Sequence, residues 1–429
     1  MSCTAIHKVK RASKLFPQFS IPLKSGNVSN SSEYLIKYGF MTPVSNGLYA
    51  YLPIGLRVLN KLTNIVENEM ENIGAQRVLL PALTPTNLWQ KTERFDTNKT
   101  ELFTVLDRHN RQYILSPTYE ETICDLIKSS GYMSLKLPLK LYQISNKWRD
   151  EIKPRFGFLR SREFIMKDLY TFDATLDDAN QSYETVCEAY SNIFKTLGIK
   201  FTKAIGDTGI IGGLKSHEYH YTCDNTDDII CTCSACQYAI NKVMCKESKC
   251  PQCSNTLLEQ STAEVGHTFL LDTKYTEPLG AVYMQQKLKP LVMGCYGLGL
   301  SRILTVVAEK LRTEEGELRW PKSLAPYTLC IITPKSGSNE EGANQYLNQI
   351  LEIVNQLNIE TILDDRTKLT IGKRMKLARL VGYPYVIVLG KTAMMSPPTF
   401  EVHNINDSSS TELSLESIAS YFEAENMKT

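Results

Sequence analysis

Two strand-like runs between Lys147 and Asp168, separated by a segment that cannot pair, constrain what this chain can fold into more than any other feature. Lys147-Trp148-Arg149-Asp150-Glu151 alternates as a strand does. Pro154 and Gly157 break the pattern, and Arg160-Ser161-Arg162-Glu163-Phe164-Ile165-Met166-Lys167-Asp168 resumes on the return. The outcome is a hairpin with Arg149, Glu151, Arg160 and Phe164 around one concave surface. An arginine fork grips phosphate through two parallel hydrogen bonds, a carboxylate accepts from an exocyclic amine, and a phenyl face stacks on a purine. The combination meets the requirements of a purine nucleoside triphosphate held for attack at phosphorus. Each residue alone has a plainer reading, as a surface Arg–Glu pair or a core phenylalanine.

With 429 residues the chain is long enough for two or three cores, and 42% hydrophobic with 22% charged residues is the balance of a globular protein. A formal net charge of +2 means that any nucleic acid must be met by local basic patches. No run of about 18 apolar residues occurs, so no membrane partner is expected. Up to Ser32 there is no acid, while Lys8, Lys10, Arg11, Lys14 and Lys24 lie among serines, the composition of an organellar transit peptide. The alternative is an unstructured basic N-terminus.

Cys233-Ser-Ala-Cys236 and Cys250-Pro-Gln-Cys253 form two Cys-x-x-Cys knuckles, with Cys231 and Cys245 nearby. Such spacing suits a tetrahedral structural Zn²⁺; the alternative is a cysteine-rich loop that binds no metal. Apolar periodicity predicts helices over 54–70, stopped by Gly74, over 120–127 and over 177–197, the last with Tyr183, Val186, Tyr190, Ile193 and Leu197 on one face. A short strand is expected at 78–81. Residues 291–302 turn from strand into a helix near Leu300, where Gly297 and Gly299 let backbone approach a ligand. Beyond Trp320, strands at 327–333, 360–363 and 385–389 alternate with helices at 344–357 and 371–380, as in a small α/β domain whose boundary falls near 321–326.

In order along the chain, these segments resemble the prolyl-tRNA synthetases of bacterial and mitochondrial type, a family of class II aminoacyl-tRNA synthetases. The resemblance runs from Ser13 to about Val402. Gly47-Leu-Tyr-Ala-Tyr-Leu-Pro-Ile-Gly-Leu-Arg57 through Pro81 resembles the family's first motif, 149–168 its second and 294–302 its third. Ser116-Pro-Thr-Tyr-Glu-Glu121 resembles its proline loop, and Asp207-Thr-Gly through Ser216-His217-Glu218 a further prolyl-specific segment.

The resemblance implies an α+β fold: a class II antiparallel-sheet catalytic core plus a C-terminal α/β anticodon-binding domain. It divides the chain into a mitochondrial targeting segment at 1–12, with an outer limit near 30, a catalytic domain at 13–322 with a Cys-rich insert at about 229–256, and an anticodon-binding domain at 323–429. The implied activity is ATP-dependent conversion of L-proline to prolyl-adenylate and transfer to the 3′ end of tRNA(Pro), in the mitochondrial matrix. Only the Cys-rich stretch separates the second and third motifs, so no editing domain is expected.

Arg149 and Arg302 are the implied catalytic residues. Arg149 would grip the α-phosphate, Arg160 the γ-phosphate, and Glu151 would accept from the adenine amine. Phe164 and Arg302 would cover the two faces of the base, and Mg²⁺ would bridge phosphate oxygens with few protein ligands. Thr118 and Glu120 would hold the proline ammonium, with His217, His267 and Cys295 lining that pocket. Asp364, Asp365, Arg366, Lys373, Arg374 and Lys376 would meet tRNA, and the turn at 153–159 its acceptor end. The zinc ligands would be Cys233, Cys236, Cys250 and Cys253. The first motif implies a homodimer, with the helix over 56–70 and Pro81 near its interface; ordinary core packing is the alternative. Two further readings stay open: a class II synthetase for threonine or serine, which Thr118 with Glu120 and 216–218 argue against, and a non-catalytic RNA-binding paralogue. In the latter the ATP arginines are usually lost, whereas Arg149, Arg160 and Arg302 are present.

Overall fold

The computed structural model describes residues 9–17, 31–131, 136–223 and 226–426. These form two compact units, one of 43–50 and 59–306, the other of the residues up to Thr42, 51–58 and those from Val307 onward. The expected boundary at 321–326 thus falls inside the second unit, which also takes in N-terminal residues.

In the larger unit, five strands carry the site: β1 (Leu139–Trp148), β2 (Glu163–Asp173), β3 (Lys215–Thr222), β4 (Leu258–Asp272) and β5 (Val292–Gly299). They belong to a nine-stranded sheet ordered β3, Thr202–Ile205, Ala239–Asn241, Asp228–Thr232, β4, β5, β2, β1, Gln76–Arg77. The β1–β2, β2–β5, β5–β4 and β4–β3 pairings are all antiparallel. Strand alternation then sorts side chains to two faces. Asp168, Tyr170 and Phe172 point one way. Tyr170 and Phe172 pack there with Ile123 and Ile127 of helix α1 (Glu120–Ser129). Lys167 points the other way, to Tyr190 of helix α2 (Leu176–Thr196), whose Tyr183, Val186, Tyr190 and Ile193 stripe is wholly buried, as its periodicity requires.

The hairpin is shorter than its alternation predicts. The β1–β2 ladder ends at Trp148↔Glu163, so Arg149 and Glu151 lie beyond the strand. Arg149 N–H still reaches Arg162 O (2.9 Å), but Glu151 N–H turns back to Arg149 O (2.8 Å) and Pro154 has no N–H to offer, so pairing is interrupted until Arg155 N–H meets Arg160 O (3.1 Å). The strand expected at 78–81 is displaced: Gln76–Arg77 pairs in parallel with Leu141 and Tyr142, and Val78 donates to Tyr142 O (2.8 Å) before Pro81 ends the run.

The smaller unit has a six-stranded sheet ordered Lys10–Arg11, Thr361–Asp364, Leu329–Ile332, Tyr385–Val388, Phe400–Asn404, Ser409–Leu413. Its first four strands are parallel and the last two antiparallel. Helices Leu347–Gln356 and Ile371–Val381 appear where expected; the closing hairpin and helix Ser417–Asn426 were not anticipated. Ser409–Leu413 is polar and exposed over most of its length, so it carries no strand signature of its own.

Candidate active site

A cavity of about 580 Å³ opens over β2, β4 and β5. Arg149, Glu151, Arg160, Phe164, Thr118, His267, Cys295 and Arg302, all anticipated from sequence, line it together with Asp168, Glu264, Gly297 and Gly299. Neither glycine has a positive φ. Their value is clearance: a Cβ on Gly297 would come no nearer than 3.4 Å to Met166, and one on Gly299 no nearer than 3.6 Å to Arg302.

Two guanidiniums dominate one wall. Arg149 lies over the Phe164 ring (5.2 Å to the centroid), and burial together with the like charge of Arg302 pushes its pKa down. Arg302 is held by Glu264 O (2.9 Å). Like charges oriented into one cavity by the backbone create a site for a polyanion. Glu264 is their counter-charge. Burial alone would raise its pKa, but His267 and Arg302 outweigh that and bring it to about 2. Arg160 donates from Nε to Glu151 (2.9 Å) and from Nη1 to Asp227 (3.0 Å), so a phosphate would have to replace these carboxylates to claim it.

Behind Arg94, Thr118 and Cys295, which line the cavity, lies a buried charge cluster. Glu120 Oε1 accepts from the Thr118 hydroxyl (2.8 Å) and the Cys295 thiol (3.0 Å), while Oε2 accepts from Arg94 Nη1 (3.1 Å). Arg94 also donates to Glu121 (3.0 and 3.3 Å) and stacks over Trp89. Burial opposes ionisation of Glu120, yet Arg94, Cys295 and Thr118 outweigh it and hold its pKa below the usual carboxylate range. Glu121 moves up, through burial and the Glu120 charge beside it. The cluster therefore holds one ionised carboxylate, supported by a cation that two acids share. Burial and Glu120 raise the Cys295 pKa far above normal, so it remains a thiol donor.

The loop bearing Thr118 and Glu120 is fastened to the sheet: Tyr119 N–H donates to the Tyr170 hydroxyl (2.9 Å), which donates to Asp168 (2.9 Å), which pairs with buried Lys147 (2.6 Å). Arg94 has no motif around it and lies in the four-residue helix Arg94–Thr97, so sequence reasoning missed it. Lys147 and Asp168 stood at the hairpin's ends, but only their cross-strand pairing gives them a role.

His217 is a correction. It faces away from the cavity, with Nδ1 against the Tyr183 hydroxyl (2.7 Å), because alternation on β3 sends Ser216 and Glu218 the other way. Burial and the nearby lysines lower its pKa to about 4. His267 does reach the cavity, stacked on Phe269 at 3.9 Å and hydrogen-bonded through Nε2 to Ser216 (3.0 Å).

Arg374 is a second correction. Expected to face RNA, it is fully buried, donating to Thr333 Oγ1 (3.2 Å) and to Asp364 O (2.9 Å) as a clamp between strand ends. Arg366 is pinned on the buried carboxylate of Asp364 (2.8 Å). Asp365 accepts from Ser13 and Arg11. Lys368, Lys373 and Lys376 remain exposed.

Far from the cavity chemistry, the sulfurs of Cys233, Cys236, Cys250 and Cys253 lie within 4.8 Å of one another. Sulfurs at about 2.3 Å from a tetrahedral metal stand about 3.8 Å apart. The two turns match. Cys233 N–H donates to Tyr238 O and Gln237 N–H to Cys233 O; Cys250 N–H donates to Asn255 O and Ser254 N–H to Cys250 O. Gln237 and Ser254 both have φ +61°.

Comparison with known proteins agrees with this geometry. Residues 103–311 match the tRNA synthetase class II core domain (G, H, P, S and T), and 328–425 the anticodon binding domain. A solved prolyl-tRNA synthetase from Cryptosporidium parvum, complexed with L-proline and AMP, superposes with a TM-score of 0.73 at 15% identity over 93% of this chain and 77% of that one. The Giardia lamblia prolyl-tRNA synthetase, in complex with prolyl-adenylate, gives 0.74 at 17% identity over 91% and 75%. At such identities the likeness establishes the fold. Sequence goes further: the human protein named "Probable proline--tRNA ligase, mitochondrial" is 44% identical over 393 residues, 89% of this chain and 82% of that protein. Its Schizosaccharomyces pombe counterpart is 38% identical over 376 residues, 86% and 88%. With a guanidinium pair facing one cavity of an antiparallel class II sheet, and relatives this similar over most of their length, the chain belongs to the proline–tRNA ligase family of class II aminoacyl-tRNA synthetases.

Proposed function

We propose that the cavity binds L-proline and ATP, joins them as prolyl-adenylate and passes the prolyl group to tRNA(Pro). The observation that carries this reading is the gathering of Thr118, Arg149 and Arg302 in one cavity, with the buried Glu120 carboxylate bonded directly behind Thr118. Glu120, with Thr118, supplies the negative charge for a secondary ammonium, leaving the proline carboxylate to point toward the guanidiniums. That carboxylate is the nucleophile, so no side chain need attack. As it closes on the α-phosphorus and pyrophosphate leaves, negative charge grows on the α-phosphate oxygens. Arg149, already oriented by Phe164, stabilises that charge without reorganising. Arg302, on the same wall, adds a second positive charge toward the nucleotide. Arg160 leaves Asp227 for the γ-phosphate, and Glu151 accepts from the adenine amine beside Phe164. Mg²⁺ would supply charge neutralisation on the nucleotide, and Glu264, ionised on the same wall, would help hold it.

The mitochondrial matrix is the compartment this reading assigns, in keeping with the relatives' names and the basic N-terminus. tRNA is met at the Asp365 strand end and by exposed Lys373 and Lys376, which attract its phosphates; Asp364, buried, instead holds Arg366 in place. The four clustered thiolates hold a structural Zn²⁺ that takes no part in the reaction. Two copies pair through exposed Leu79, Pro81 and Leu83. On the helix Pro53–Asn72, Leu59, Leu62, Val66 and Met70 are buried in the chain's own core, while Leu56 stays exposed.

Proline-dependent ATP–pyrophosphate exchange tests the reading. Activity with proline and its loss in a folded Arg149→Ala variant are expected; near-normal exchange in that variant would overturn it.

A further inference from the structure

The basic N-terminal stretch has the composition of a removable leader, yet part of it is built into the smaller unit. Lys10 and Arg11 pair in parallel with Ile362 and Leu363, making a sixth strand on the Thr361–Asp364 edge. Val9 packs against that unit's core, and Ala12 is buried at 7% exposure. The next turn, Ala12–Lys14, delivers Ser13 to Asp365: its N–H donates to Oδ1 (3.0 Å) and its hydroxyl to Oδ2 (2.8 Å), while Arg11 Nη1 adds a third bond at 3.2 Å. Without this segment the backbone groups of Ile362 and Leu363 lose their partners along that edge, an arrangement natural sheets avoid. Asp365 would also lose three donors at once. Burial alone would raise its pKa, but these donors outweigh it and hold it down.

We infer that residues 9–14 survive import processing as a permanent strand of the anticodon unit, and that Arg11 and Ser13 are positioning residues for Asp365 at its RNA-facing end. The second half rests on the proposed tRNA-binding role of that strand end. The segment also places the cationic side chains of Lys10 and Lys14, both exposed, on that unit's surface. Cleavage that leaves the fold intact must therefore fall before Val9, earlier than the expected end of the targeting segment at residue 12.

Two measurements test this. N-terminal sequencing of the full chain after import into isolated mitochondria is expected to find a terminus at or before Val9; a terminus beyond Lys14 would overturn the inference. Chains starting at Val9 and at Leu15 are then compared for pyrophosphate exchange and for tRNA aminoacylation. The Val9 chain is expected to match the longer protein. The Leu15 chain is expected to keep proline-dependent exchange while its KM for tRNA rises at least about tenfold. If the Leu15 chain does not fold, the full-length Arg11→Ala/Ser13→Ala variant takes its place. Reversion of its tRNA KM by Arg11→Lys with Ser13→Thr, which restore charge and hydroxyl, separates positioning from general loss of packing. An unchanged tRNA KM with intact exchange refutes the positioning role alone; absence of exchange in the unaltered protein would instead refute the proposed function.

Discussion

Glu120→Gln separates binding of the amino acid from binding of the nucleotide. The substitution conserves shape but removes the charge, and it turns one acceptor into a donor. If the amide oxygen stays on Arg94, the amide nitrogen faces the Thr118 hydroxyl, which can rotate to accept, and the Cys295 thiol, a weak acceptor. Arg94 keeps Glu121 at 3.0 and 3.3 Å, so no buried cation is left alone and the fold should survive. What is lost is a charge-assisted bond to the substrate ammonium, about 1.5–3 kcal/mol. At 1.4 kcal/mol per tenfold, that is about a 10- to 150-fold rise in the KM for proline. The KM for ATP should stay within about twofold, because Arg149, Glu151 and Arg302 do not depend on Glu120 for their contacts. Pyrophosphate exchange with proline and ATP titrated separately reads both. A proline KM within twofold of the native value, in a variant that melts normally, would refute the assignment of Glu120 as the ammonium partner.

The remaining predictions concern groups outside the catalytic step. His217 has a folded pKa near 4 against an ordinary value near 6.5, so between those limits the unfolded chain binds the extra proton and stability must fall as pH drops. His217→Asn should flatten that part of a urea-midpoint-against-pH curve, and an unaltered slope would count against it. Arg374→Met should lower the melting temperature, since it removes a fully buried clamp worth about 1.5–3 kcal/mol per charged hydrogen bond, without changing the salt dependence of tRNA binding. Lys373→Ala or Lys376→Ala should do the reverse, reducing the slope of log affinity against log salt by about one for each phosphate no longer neutralised. Cys250→Ser should abolish zinc in metal analysis and lower the melting temperature while exchange persists; zinc retained at the native level would contradict the four-thiolate site.

Much of the site was legible in the sequence because its parts are local. Arg149, Glu151, Arg160 and Phe164 sit within one hairpin, and Thr118 with Glu120 within one loop, so short spacing was enough to group them. The helix stripe at Tyr183, Val186, Tyr190 and Ile193 was equally plain, since period 3.6 reports burial directly. Two histidines, by contrast, looked alike in sequence and part ways in the fold. β3 turns His217 toward Tyr183, while β4 turns His267 into the cavity. In the 366–379 basic run, helical periodicity rotates Arg374 inward between Lys373 and Lys376, and a charge count cannot see that rotation.

The sequence by itself determined the chain's family, its antiparallel core and most of the groups that line the cavity, because each rests on residues close together in the chain. Only the tertiary structure decided what supports them. Arg94 reaches Glu120 across 26 positions, and Arg11 and Ser13 reach Asp365 across more than 350. A charge partner brought in from that distance leaves no periodicity or spacing to read, since the pairing exists only once the sheets have formed.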